Sequence, residues 1–67
     1  MITFDVQDMT CGHCASTITR AVKDVDPAAT VQIDLPTHRV RIEPSQADAE
    51  VLQRSIQDAG YTPVPLP

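Results

Sequence analysis

Ile2, Phe4 and Val6 alternate with Thr3, Asp5 and Gln7, the two-residue period of a strand with one buried face, and this predicts a first strand ending near Gln7. From Cys14 the period changes. Ile18, Ala21, Val22 and Val25 recur at helical spacing, which predicts an amphipathic helix that starts at Cys14 and stops at Asp26-Pro27, because proline cannot continue a helix. Val31, Ile33 and Leu35 then alternate with Gln32 and Asp34, Pro36-Thr37 supplies a turn, and Val40 and Ile42 alternate with Arg39, Arg41 and Glu43, together a hairpin. Pro44-Ser45 opens a second helix, with Ser45 as N-cap, Asp48 as its capping-box acid, and Leu52, Ile56 and Ala59 on the inner face. Gly60 ends that helix as its C′ residue. Residues 61–64 form a short last strand. Pro63, Pro65 and Pro67 confine it to a sheet edge and leave residues 65–67 as a frayed tail.

The order of elements is therefore β-α-β-β-α-β. Each strand has one apolar and one polar face, so both helices must cover the same side of a four-stranded antiparallel sheet while the other side meets water. The expected fold is α+β, a ferredoxin-like open-faced sandwich, with residues 1–67 forming one domain. In that topology the loop after the first strand, the turn at residues 36–38 and Gly60-Tyr61 share one edge of the molecule.

Composition narrows the partners. A net charge of −4 argues against nucleic acid, and no aromatic platform exists for stacking single-stranded bases. No basic-plus-apolar leader and no apolar run of membrane length occurs, so the expected location is the cytoplasm, without direct membrane insertion and with thiols reduced. A chain of 67 residues is near the size at which domains recruit a disulfide, a metal or a partner. Its two cysteines, Cys11 and Cys14, would close too short a loop for a bridge to remove much unfolded-state entropy, so the pair is better read as chemistry than as a staple.

Four chemistries compete for Cys11-Gly12-His13-Cys14. Haem attachment needs His directly after the second cysteine, where Ala15 stands, and a closed zinc site needs a second Cys-x-x-Cys, which is missing. Dithiol redox chemistry suits Cys-x-x-Cys at a helix start, but the chain lacks Trp beside the motif and its element order is not that of a thioredoxin. The remaining reading is a two-thiolate site for a soft monovalent ion, Cu(I) first among them. Two ligands content such an ion and leave room for an incoming sulfur. On that reading the protein is a carrier and not an enzyme, with a small dithiol redox protein as the alternative from another class.

The segment "MTCGHC", Met9 to Cys14, on a strand-to-helix loop, with "IQDAGY", Ile56 to Tyr61, near the end, resembles the heavy-metal-associated domain over nearly the whole chain. That family contains free-standing copper chaperones and the N-terminal domains of copper-transporting P-type ATPases, and a chain of this length resembles the chaperones. The resemblance implies one Cu(I) held by Cys11 and Cys14 and passed by thiolate exchange to the metal-binding domain of such an ATPase. It implies a monomer in the apo state, with a metal-bridged dimer as a candidate holo form. A metal-binding regulatory domain, or a carrier of Hg, Cd or Zn, is the alternative within metal binding. Asp8 departs from the family, which usually has Gly there. Around the thiols, Met9 is read as a core plug, Thr10 as a source of a local hydroxyl hydrogen bond and Gly12 as backbone freedom. His13 is read as an outward-facing tuner. By resemblance Tyr61 stands beside the copper, and His38, on the same edge, is the weaker candidate for a third ligand. Arg20 and Lys23, on the outer face of the first helix, are candidates for docking a partner.

Overall fold

Alternation in the first strand has the expected result: Phe4 and Val6 are buried, while Thr3 and Asp5 sit on the opposite face at intermediate exposure. The computed structural model describes residues 1–66 and contains β1 (Ile2–Val6), α1 (Gly12–Val25), β2 (Thr30–Asp34), β3 (Arg39–Glu43), α2 (Ala49–Asp58) and β4 (Pro63–Leu66). The sheet order is β2-β3-β1-β4 with every pairing antiparallel, the ferredoxin-like arrangement anticipated from the order of elements. Phe4 faces Val40 and Ile2 faces Ile42 across the central pair, so the apolar sides of β1 and β3 form one surface. Ile18 and Val22 of α1 and Leu52 and Ile56 of α2 close over that surface to complete the core. Each such side chain taken out of water contributes about 1.5–3 kcal/mol before chain entropy is counted.

Several boundaries differ from the sequence expectation, each for a physical reason. Helix α1 begins at Gly12, with Cys11 as its N-cap, and not at Cys14, because the apolar stripe marks only the part of a helix that packs on the core. Val25, expected on that stripe, is 39% exposed at the helix end. Helix α2 is capped by Asp48, whose carboxylate accepts the Val51 N–H at 2.9 Å, and not by Ser45. The Ser45 N–H is already taken: with those of Gln46 and Ala47 it donates to Oδ2 of Asp26 at 2.7, 2.9 and 3.1 Å.

The sequence marks Asp26 only as a helix stop. It is a fully buried carboxylate that ties the end of α1 to the start of α2. The backbone N–H of Gln46 first, then those of Ala47, Ser45 and Ala28, hold its carboxyl below the usual range against an opposing desolvation.

The α2 terminus matches expectation. Gly60 has φ +100, its N–H donates to the Gln57 carbonyl at 2.9 Å, and the Tyr61 N–H reaches the Ile56 carbonyl at 3.3 Å, the paired bonds of a Schellman end. Strand β4 lies later than predicted: residues 65 and 66 are not a frayed tail but pair with Phe4 and Thr3. The rest of that expected tail, Pro67, lies outside the described residues. Pro63 and Pro65 are tolerated because β4 is an edge strand, where the missing N–H groups deprive no neighbour of a partner. Among the described residues no helix is long and apolar enough to cross a membrane.

Candidate metal centre

The three chain reversals meet at one edge, as the topology requires. The Val6 N–H donates to the His38 carbonyl at 2.8 Å, joining the end of β1 to the turn between β2 and β3. On the other side, Oδ1 of Asp8 accepts the Thr62 N–H at 3.2 Å, joining the β1–α1 loop to the segment that carries Tyr61. The carboxylate that departs from the family pattern is thus a backbone acceptor. Met9 is fully buried between these ties, and its side chain belongs to the core cluster. It roots the loop from beneath.

Cys11 is exposed and Cys14 is half-buried; their sulfurs stand 3.5 Å apart, and both are free thiols. Cys11 sits at the N-cap of α1 in an extended conformation and Cys14 lies in the first helical turn, where unpaired N–H groups and the positive end of the helix dipole favour negative charge. No acidic residue occupies that turn. The thiol of Cys14 is lowered from 9.0 to about 6, chiefly by the Tyr61 hydroxyl donating to it. The Thr10 N–H, the Cys11 thiol and the Cys11 N–H add to this effect, and partial burial opposes it. Tyr61 is pushed up in return, first by that same hydrogen bond, then by burial and by the charge on Cys14.

Thr10 thus enters through its backbone N–H among the influences that lower Cys14. Gly12 does not use glycine's conformational range: its φ is not positive, and a Cβ there would meet nothing within 4 Å. It lies beside the sulfurs as open, exposed backbone. His13 is exposed on the helix surface. His38 is brought to this edge, but its Nδ1 lies 2.8 Å from the Met9 carbonyl. Among the described residues no three His, Cys, Asp or Glu groups cluster as metal ligands, so the third-ligand expectation for His38 gains no geometric support.

The two docking candidates are placed away from the thiols. The Lys23 ammonium, in the last turn of α1, donates to the Ala29 carbonyl. Arg20 lines a groove between the helices together with Asp24 and Asp58, where its charge has acidic neighbours.

An open-faced sheet carrying a two-cysteine loop at the start of its first helix defines a class of small metal-binding domains. Residues 3–62 match the heavy-metal-associated domain, and the chain belongs to that family. The COP-associated protein of Helicobacter felis is 36% identical over 61 residues, spanning 90% of this chain and 92% of its own. A copper-transporting ATPase of Saccharomyces cerevisiae is 36% identical over 58 residues, 84% of this chain but 6% of the ATPase. Among solved structures, the copper chaperone Atx1 from Synechocystis PCC6803 superposes with a TM-score of 0.90 at 36% identity, covering 94% of this chain and 98% of that one. A gold binding protein superposes with a TM-score of 0.92 at 36% identity, covering 98% and 100%.

Proposed function

We propose that this protein is a cytoplasmic copper chaperone that binds one Cu(I) through Cys11 and Cys14 and hands it by thiolate exchange to the metal-binding domain of a copper-transporting P-type ATPase. The observation that carries the reading is the pair of free sulfurs 3.5 Å apart on the exposed start of α1, one already favouring thiolate. Two thiolates are the donor set that prefers a soft monovalent ion, and an exposed pair leaves the ion open to a third sulfur. Transfer then proceeds by entry of an acceptor thiolate before a donor thiolate leaves, so the ion is never bare. Likeness to a chaperone and to part of an ATPase supports both partners of that exchange having this fold. The same exposed pair allows a metal-bridged dimer of the holo form, with the apo protein a monomer. The chain acts as carrier and not as catalyst.

The test is NMR-followed mixing of the copper-loaded protein with an isolated ATPase metal-binding domain. Movement of copper-sensitive resonances onto the acceptor is expected, and retention by the donor at excess acceptor contradicts delivery. A second reading, a carrier of monovalent gold, is favoured by the likeness to the gold binding protein, since Au(I) is a soft ion served by the same donors. Competition of Au(I) against Cu(I) for the same pair separates the two.

A further inference from the structure

The segments that meet at the metal edge, residues 7–14, 35–38 and 59–62, contain a single Asp, Glu, Lys or Arg, and it is Asp8. Asp8 is exposed, and its Oδ1 accepts the Thr62 N–H at 3.2 Å, a neutral partner that leaves the carboxylate's charge in place. The bond holds that charge at the edge, between the β1–α1 loop and the segment after α2. Cys11 is three positions on in the chain, a Cα span of at most about 11 Å, which is close to the screening length in ordinary buffers.

The cations that could offset this charge lie elsewhere. By the helix rise Arg20 and Lys23 stand about 13 and 18 Å along α1 from Cys11. Arg20 shares its groove with Asp24 and Asp58, and Lys23 donates to the Ala29 carbonyl. Arg39, at the start of β3, stands in register between Asp5 on β1 and Asp34 on β2. A monovalent ion on two thiolates itself leaves one negative charge. The loaded edge is therefore negative where an incoming thiolate must bring like charge against it, and a cation beside that thiolate removes the repulsion.

We propose that Asp8 makes the metal edge an acidic docking surface, and that the acceptor it fits carries a lysine or arginine beside its incoming thiolate. This deepens the copper-carrier reading and rests on it for the acceptor, whereas the field of Asp8 is a property of the apo protein. Arg20 and Lys23 do not steer the encounter.

Thiol reagents of opposite charge, methanethiosulfonates bearing an ethyltrimethylammonium or an ethylsulfonate group, read this field without copper. Their rate ratio at one thiolate cancels changes in its protonation, and comparing variants cancels the reagents' intrinsic difference and the helix terminus. Asp8→Asn keeps an oxygen for the Thr62 N–H and removes the charge. It should lower the cation-to-anion rate ratio about 2- to 5-fold at about 10 mM ionic strength, a drop that vanishes near 1 M salt. Glu43→Gln makes the same change in net charge at the far end of β3 and should leave the ratio nearly unchanged. No drop in Asp8→Asn, or an equal drop in Glu43→Gln, overturns the proposal. On the loaded protein, the rate of copper withdrawal by cysteamine relative to 3-mercaptopropionate should fall by a similar factor in Asp8→Asn; an unchanged ratio overturns the claim of a basic acceptor. Should the parent take up no Cu(I), the carrier reading fails, while the reagent ratio still decides whether Asp8 sets the field at the thiols.

Discussion

Replacing Met9 separates a residue that roots the metal loop from one that binds metal. Its side chain is fully buried beside Phe4, Ile18 and the other core residues, so truncation to alanine leaves a cavity two residues from Cys11. Losses for such truncations run about 2–5 kcal/mol. A domain of 67 residues has roughly 3–10 kcal/mol in all, so Met9→Ala should leave a marginal fold. Met9→Leu nearly conserves volume and should cost less than about 1.5 kcal/mol. The informative comparison is therefore Met9→Leu in two assays, urea unfolding of the apo protein and Cu(I) competition against a chromophoric chelator. The buried position predicts a nearly unchanged urea midpoint and Cu(I) affinity within a factor of a few. A Met9→Leu protein that unfolds normally but binds Cu(I) more than tenfold weaker would refute the reasoning, because only a lost thioether contact explains that pair of results.

Tyr61→Phe removes the largest influence lowering Cys14, so thiolate absorbance should titrate with a midpoint above about 6; no movement would show that the hydroxyl does not engage the sulfur. Because that thiol is lowered on folding, its contribution to apo stability is present above the unfolded value of 9.0 and is lost as pH falls through about 6. Tyr61→Phe should flatten this dependence in denaturant melts across that window. Asp26 obeys the same sign lower on the scale: its carboxylate stabilises the fold above the ordinary carboxylate range, and the contribution is lost as pH falls through its depressed native value. Asp26→Asn should therefore be less stable than the parent at neutral pH and show a shallower acid limb, and parallel acid limbs would contradict the assignment. Asp48→Ala should cost about 0.5–2 kcal/mol in urea melts, whereas Ser45→Ala, which keeps its backbone N–H, should cost little; the reverse order would restore Ser45 as the cap.

What could be read along the chain follows from which forces leave a periodic trace. Alternation in β1 and β3 marks burial directly, because each side chain's face is set by parity, and the sheet followed from it. The helix starts were read less well. Cys11 caps α1 with its backbone and no side-chain bond, so the composition of the loop carries no cue, and Ser45 and Asp48 are both good caps whose contest was decided by a third residue 19 positions before Ser45. Asp26 could have been suspected only as a carboxylate at a helix end near proline; its buried partners are backbone groups, which no residue type announces. At the site, the cysteine spacing and the resemblance drew Cys11, Cys14 and Tyr61 together. The contacts of Asp8 with the Thr62 N–H and of His38 with the Met9 carbonyl escaped the sequence because each partner is a peptide group, and sequence pattern records side chains. Residues 65 and 66 read as a frayed tail because proline weighs as a breaker, yet an edge strand needs donors on one side only.

The central claim is that two sulfurs on the first turn of α1 form one soft-metal site. Titration of reduced protein with Cu(I) against a competing chelator, in parallel with Cys11→Ser and Cys14→Ser, tests it most directly. The account predicts one Cu(I) per chain for the parent and a severe loss of affinity, at least a hundredfold, in each variant, since one thiolate cannot replace a chelating pair and each lost decade is about 1.4 kcal/mol. Binding at parental strength by either single-cysteine variant would contradict it.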